Sequence, residues 1–341
     1  MAEVAIQTDT VSAEPILDVQ NLAVSFRSDE GRVRAVVGVD FQAHRGKTLG
    51  IVGESGSGKS VSTKAVMQLL PGNAVIEAGS SIHFQRSEGG PVDILTLGKN
   101  SPAMRAIRGG DIAMIFQEPM ASFSPVYSVG NQMTEAIRLH RAVGHREARE
   151  IAVEMLGRVG LSNPATQVNQ YPHELSGGMR QRAMIALALS TRPALLIADE
   201  PTTALDVTIQ AQVLELMGEL QREFGMAMIF ITHDLGVIAQ IADEVAVMYL
   251  GTIVERGSVD EVIRNPAHPY TQGLRAAIPD LSSIEGRLIP VGGDIPNPLE
   301  RPRGCPFHTR CPKRIPGTCD AESPAVTTLS PSHSVRCYLA Q

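Results

Sequence analysis

The segment Gly53-Glu54-Ser55-Gly56-Ser57-Gly58-Lys59-Ser60 reads G-x-x-x-x-G-K-S and follows the apolar run Leu49-Gly50-Ile51-Val52 directly. A buried strand that ends in a glycine-rich turn and opens a helix makes a phosphate cradle. The glycines let backbone N–H groups approach phosphate oxygens with no side chain between them. A helix beginning near Gly58 points its positive end at the same oxygens. Lys59 supplies a full charge for β- and γ-phosphates, and the Ser60 hydroxyl suits Mg²⁺. A Gly/Ser-rich loop can match this pattern by chance, but the strand before it and the helical pattern after it argue against that. The segment implies binding of a nucleoside triphosphate.

A second apolar run, Ala194-Leu195-Leu196-Ile197-Ala198, ends in Asp199-Glu200. Ionised carboxylates are costly to bury unpaired, so a buried strand does not end in two acids for packing. Beside a phosphate loop, the first acid holds Mg²⁺, directly or through water, and the second can polarise an attacking water. Gln117 and His233 each follow an apolar strand pattern, 111–116 and 226–232. In Leu175-Ser176-Gly177-Gly178-Met179-Arg180-Gln181, paired glycines open a helix whose N-cap is Ser176, a second place where backbone could approach an anion.

The elements that must position these groups can be read from patterning. Strands are expected at 16–19, 22–26 and 33–41, with a hairpin turn at Ser28-Asp29-Glu30-Gly31. The helix after Lys59 should run to about Leu70 and stop at Pro71-Gly72. Ser87-Glu88-Gly89-Gly90 looks like an inserted loop. Helical patterns cover 129–160, with a break at Gly144, and 176–190. The segment 207–224 is amphipathic, with Val213, Met217, Leu220 and Phe224 on one face. A short helix at 234–241 precedes strands at 244–249 and 252–255. Strands alternating with helices from 47 to 250 imply a largely parallel sheet covered on both faces, with catalytic groups at the carboxyl ends of its strands.

The phosphate loop, the Asp-Glu strand end, Gln117, the 175–181 segment and His233 occur in an order and spacing that resemble the ATP-binding cassette (ABC) family of ATPases. The resemblance covers roughly 16–257: Walker A at 53–60, Q-loop at Gln117, signature at 175–181, Walker B at 195–200, D-loop at Ala204-Leu205-Asp206 and H-loop at His233. It implies an α/β, P-loop NTPase fold with a RecA-like parallel sheet core, an antiparallel β subdomain and a helical subdomain at about 118–190. It also implies roles. Two cassettes pair head to tail, so Ser176, Gly177 and Gly178 would meet the γ-phosphate bound by a partner subunit. Glu200 would be the catalytic base, His233 would hold the γ-phosphate and water geometry, and Gln117 would touch Mg²⁺ or water and report occupancy to the membrane subunits. ATP would contact Gly53, Ser55, Gly56, Ser57, Gly58, Lys59, Ser60, Ser62, Gln117 and Asp206, and Mg²⁺ would contact Ser60, Gln117 and Asp199. The aromatic that stacks on adenine falls near Phe26, where a core strand Phe is an equal alternative. After Gln117, the 118–133 region would dock a permease, with Phe123 and Tyr127 as candidate contacts or as packing within the helical subdomain.

After Gly257, Pro, Gly and Cys become dense and periodicity fades, so a boundary is expected near 258. Three divisions follow: a flexible tail at 1–14, the ATPase domain at 15–257 and a small irregular extension at 258–341. All four cysteines, Cys305, Cys311, Cys319 and Cys337, lie in the last 37 residues with spacing C-x5-C-x7-C-x17-C, which leaves a disulfide-stapled tail or a metal site, and an intracellular chain favours metal. The spacing is not the C-x2-C pair of zinc ribbons. Four thiolates suit either Zn²⁺ or a [4Fe–4S] cluster, and the Cys-Pro steps at 305–306 and 311–312 are like those near iron–sulfur clusters. A segment with so little core is expected to fold around its metal. His308 and His333 are alternative ligands, or solvated side chains.

Asn265-Pro266-Ala267-His268-Pro269-Tyr270-Thr271-Gln272-Gly273-Leu274 resembles the C-terminal extension of oligopeptide and dipeptide permease ATPases, whose close relatives carry nickel and other small solutes. Ser-Gly-Gly-Met-Arg-Gln-Arg at 176–182 and Gln-Glu-Pro-Met at 117–120 point the same way. Similar tails in that family are associated with [4Fe–4S]. The resemblance implies two transmembrane permease subunits, a second ABC ATPase subunit that is usually a paralogue, and an extracytoplasmic substrate-binding protein. The chain would then sit at the cytoplasmic face of a bacterial cell membrane as a peripheral subunit.

Composition limits the alternatives. Among the 341 residues, 43% are hydrophobic and 19% charged, enough apolar content for a real core. No apolar run approaches the roughly 18 residues of a membrane span, and the polar, acidic N-terminus does not look like a secretory signal. The expectation is a soluble, intracellular chain. A net charge of −6, no Trp and only 4% aromatics disfavour a cassette ATPase acting on nucleic acid or ribosomes.

Overall fold

The computed structural model describes residues 14–86, 89–117, 122–203, 205–278 and 291–341. Of the expected N-terminal tail only Glu14 is described, and Ser87, Glu88, the 118–120 segment and Ala204 lie outside the described residues.

The chain opens with an antiparallel sheet. Strands β1 (Leu17–Ser28) and β2 (Gly31–Ala43) form a hairpin at the expected turn. The two short strands read from sequence are one strand. What looked like a gap is a register shift between Val19 and Leu22, where Asn21 takes φ 48° and donates its N–H to Asp40 Oδ1 at 2.7 Å. Strands β4 (Ala74–Ile76), β5 (Ser81–Gln85) and β6 (Pro91–Asp93) complete this sheet.

The main sheet contains β3 (Thr48–Val52), β7 (Ile112–Ile115), β8 (Leu195–Asp199), β9 (Ala227–Thr232) and β10 (Glu244–Tyr249), all parallel, in the order β10-β3-β9-β8-β7. Every residue of β3, β7, β8 and β9 is buried, so these strands read as continuous apolar runs. Their two faces feed different cores. Ile51, Ile197, Ile229 and Ile231 pack with the antiparallel sheet, while Val52, Leu196, Met228 and Phe230 pack with the helices. Strand pleating alone separates the two sets.

Helix α1 (Lys59–Val66) is shorter than expected, because Gln68 turns out at φ 48°. Helix α2 (Pro102–Ile107) precedes β7. Helices α3 (Val129–His140) and α4 (His145–Arg158) divide at Gly144, as the pattern requires; a single turn, α5 (Pro164–Gln167), leads on to α6 (Gly177–Leu189). Helix α7 (Val207–Phe224) runs from its N-cap Asp206 to Gly225 at φ 60° and buries Val213, Met217 and Leu220. Helix α8 (Leu235–Ile241) lies between β9 and β10.

Beyond β10 the chain stays attached to this core. Strand β11 (Thr252–Ser258) pairs antiparallel with β10. Helices α9 (Val259–Arg264) and α10 (Pro269–Ala276) follow. Residues 291–341 are largely irregular, yet β12 (Thr327–Ser330) and β13 (His333–Val335) form a hairpin that pairs with β11 and extends the main sheet. The expectation of a tail with little core is corrected: Cys305, Phe307 and Cys319 are buried in the helix-side core. The Phe307 ring lies 5.2 Å from Tyr249 and 5.3 Å from Tyr270, so three aromatics tie the tail down. Among the described residues, no helix is long and apolar enough to cross a membrane.

Candidate active site

The phosphate loop leaves the carboxyl end of β3 and turns into α1 at Gly58, which takes φ 98°, with Gly56 at φ 78°. Two of its glycines are required by neighbouring backbone. A Cβ on Gly53 would collide with the Met248 carbonyl oxygen, and one on Gly58 with the Ala35 carbonyl oxygen. Ser55 and Gly56 are exposed at the tip, whereas Ser57 is buried. Lys59 is 4% exposed and folds back over the loop, donating from Nζ to Gly53 O at 2.6 Å and Glu54 O at 3.0 Å. Burial pulls its pKa down, opposed by the carboxylates of Glu200, Asp199 and Glu54. The Ser62 hydroxyl is fully buried and donates to Gly58 O at 3.0 Å, bracing the first helical turn.

Because β3, β9, β8 and β7 are neighbours, the groups at their carboxyl ends converge. Ser60 Oγ donates to Asp199 Oδ1 at 2.7 Å. Asp199 is 1% exposed, and burial raises its pKa, opposed first by the Ser60 bond and then by Lys64. This hydroxyl–carboxylate pair offers hard oxygen donors beside a phosphate cradle, a set that fits Mg²⁺. Glu200 takes φ 48°, a left-handed backbone conformation uncommon for a residue other than glycine, and donates its N–H to Ile231 O at 2.9 Å. Its Oε2 meets three groups: Thr203 Oγ1 at 2.9 Å, Gln117 Nε2 at 3.3 Å and His233 Nδ1 at 3.4 Å. Thr203 was missed from sequence. Its only signal was its place three residues after Glu200, where a turn returns its hydroxyl to that carboxylate.

Other expected residues are elsewhere. Ser176 caps α6 through Met179 N at 3.3 Å and is exposed with Gly177, where an added Cβ would meet nothing within 4 Å; Gly178 is half-buried beside Ile209. Asp206 accepts from Ile209 N at 2.9 Å as the cap of α7. Phe26 is half-buried against the core of the antiparallel sheet. Phe123 is buried in the helix-side core, which removes it from the candidate docking contacts, whereas Val126 and Tyr127 are exposed.

The four cysteines are free thiols, and three of them are buried. The Cys305 thiol is pushed up to about 11, by burial first and then by the neighbouring thiols of Cys319, Cys337 and Cys311; the Phe307 N–H opposes this. Each sulfur has a backbone N–H partner: Phe307 for Cys305, Lys313 for Cys311, Ile315 for Cys319 and Leu339 for Cys337. Burial also pushes the Cys311 and Cys337 thiols up, so at these sulfurs the backbone donor only partly offsets burial. Among the described residues, no three His, Cys, Asp or Glu side chains stand in ligating geometry. His308 Nδ1 lies 2.8 Å from Cys305 O. His333 is not solvated as expected; it is buried, with Nε2 2.8 Å from the buried Glu255.

The family model described as "ABC transporter" matches residues 36–203, and "Oligopeptide/dipeptide transporter, C-terminal region" matches 254–319. The chain is similar to the dipeptide transport ATP-binding protein DppD of Bacillus subtilis, 47% identical over 326 residues, 96% of this chain and 95% of that one. It is 48% identical over 330 residues to the oligopeptide transport ATP-binding protein OppD of Bacillus subtilis, 95% of this chain and 88% of that one. A solved dimeric bacterial ABC transporter cassette, MJ0796, shares the fold, with a TM-score of 0.62 and 24% identity, covering 71% of this chain and 98% of that chain.

The contact at Gly53 has a measurable consequence. Gly53→Ala should weaken binding of a fluorescent ATP analogue by roughly tenfold or more, because the added methyl must displace the β10 backbone. Unchanged affinity would mean the loop has room that its geometry denies.

Proposed function

The chain belongs to the ATP-binding cassette transporter family, and we propose that it is the ATP-hydrolysing subunit of an importer of dipeptides or oligopeptides. One observation carries this reading: the match to the ABC transporter model at 36–203 and the match to the peptide-transporter C-terminal region at 254–319 occur in one chain. The acidic composition and the C-terminal match disfavour a cassette that works on nucleic acid, and nothing favours nickel over peptide.

The proposed chemistry uses groups already described. Gly53, Ser55, Gly56, Ser57 and Gly58 wrap the triphosphate, and Lys59 exchanges its carbonyl partners for phosphate oxygens. Ser60 and Asp199, with Gln117, would hold Mg²⁺, which would supply positive charge against the phosphates. Glu200 accepts the proton of the attacking water. Gln117, Thr203 and His233, all touching one Glu200 oxygen, fix its direction. Ser176, Gly177 and Gly178, with Asp206, serve the nucleotide of a second cassette, so turnover requires pairing; the exposure of Ser176, Gly177 and Asp206 supports that role. Phe26 is the adenine contact. We assign 15–257 to the ATPase domain, with its helical subdomain at about 118–190, and 258–341 to the extension. The partners are two membrane permeases, a second cassette and an extracytoplasmic binding protein, with this chain peripheral on the cytoplasmic face. We assign Cys305, Cys311, Cys319 and Cys337 to a [4Fe–4S] cluster on the number and type of these ligands; the described side chains do not themselves stand in ligating geometry.

Three measurements test this reading. Glu200→Gln should retain ATP binding and lower turnover by at least roughly a hundredfold; near-normal hydrolysis would remove Glu200 from the base role. Gentle solubilisation of native membranes and capture of this chain should bring down two permeases, a second cassette and a peptide-binding protein. Recovery only from the soluble fraction with nucleic acid attached would sink the importer. Anaerobically purified chain should contain iron and acid-labile sulfide at about four each per chain. Stoichiometric zinc would replace the cluster, and neither metal would end the assignment.

A further inference from the structure

The phosphate loop is held from outside the cassette. Glu54, its second residue, is gripped at both backbone and side chain by the C-terminal region. The Glu54 N–H donates to the Tyr270 hydroxyl at 2.9 Å. Its carboxylate is forked by Arg310, with Nη1 to Oε2 at 2.6 Å and Nη2 to Oε1 at 3.0 Å. These partners lie 216 and 256 residues away in sequence.

This is no surface ion pair. The Arg310 side chain is 3% exposed. Nε donates to Gly292 O at 2.9 Å, Nη2 also to Val291 O at 3.1 Å, and Nη1 also reaches Tyr249 OH at 3.4 Å, so all five guanidinium N–H groups are engaged. Its Cζ lies 5.7 Å from the Tyr249 ring and 5.9 Å from Phe307. A bidentate pair fixes direction as well as charge, which lysine could not reproduce. Cys305 and Cys311 bracket both Phe307 and Arg310, so the cysteine-bearing tail reaches the phosphate loop through one side chain.

The contact continues inward. The Glu54 carbonyl accepts from Lys59 Nζ at 3.0 Å and from Ser57 N–H at 3.2 Å. Fixing Glu54 therefore fixes the carbonyl on which Lys59 rests and the start of a glycine-rich turn that would otherwise be costly to order.

We propose that Arg310 is a positioning residue for nucleotide binding: through Glu54 it preorganises the phosphate loop, so the tail sets the cassette's affinity for ATP. This rests on the phosphate loop being the ATP site. The test uses the full chain, measuring equilibrium binding of a fluorescent ATP analogue with Mg²⁺ and steady-state hydrolysis. Arg310→Gln and Glu54→Gln should each raise Kd and KM for ATP about tenfold and leave kcat within about twofold. The double variant should again lose about tenfold, because both substitutions break one contact. Arg310→Lys should recover only part of the loss. If Arg310→Gln fails to fold, Glu54→Gln decides, since it leaves every tail residue in place. Unchanged Kd in Glu54→Gln, or effects that multiply to about a hundredfold in the double variant, would overturn the proposal. Failure of the unaltered chain to bind the analogue would instead overturn the reading of the loop, and the proposal with it.

Discussion

The structure depends on a lack of room at the end of β3. A strand buried on both faces runs out into a loop that must turn sharply, leave its amides free and start a helix, with the Met248 and Ala35 carbonyls pressed against it. Glycine at 53 and 58 is the only side-chain solution. Because β10 and β2 supply those carbonyls, the parallel and antiparallel sheets both help to shape one turn.

The order of the sheet then does most of the chemistry. With β3 beside β9, β9 beside β8 and β8 beside β7, residues far apart in the chain leave their strands side by side. Asp199 arrives against Ser60, and Glu200 arrives between Gln117 and His233. Burial works against charge at this point. Lys59 and Asp199 are both pushed toward their neutral forms, and each is kept polar by oxygen or nitrogen partners close by. A triphosphate with its cation would relieve both, since it brings the charges that these groups lack. The site is therefore built for a ligand whose charges complete it.

The C-terminal region is bound into the same arrangement. Strand β13 adds to the main sheet, Phe307 packs against both Tyr249 and Tyr270, and Arg310 pairs with Glu54 of the phosphate loop. The tail is irregular because Pro and Gly break its periodicity, but irregular backbone can still pack firmly when its aromatic and guanidinium groups find partners on a rigid sheet.

Sequence alone determined the groups that act locally. The phosphate loop, the acid pair ending β8, the break at Gly144 and the cap at Ser176 depend on turn and capping chemistry within a few residues, and patterning exposes such chemistry. It misjudged the shape of β1, because a one-residue shift near Asn21 resembles a gap between strands, and it overextended α1 past Val66. Whether Phe123 faced a partner or a core could not be read from its neighbours; the packing of the helical segment buried it. His333 on Glu255, and Tyr270 and Arg310 on Glu54 were decided only by the tertiary structure. The physical reason is that a hydrogen bond spanning 256 residues leaves no periodicity, and it forms only where the folded sheet has brought its two ends within 3 Å.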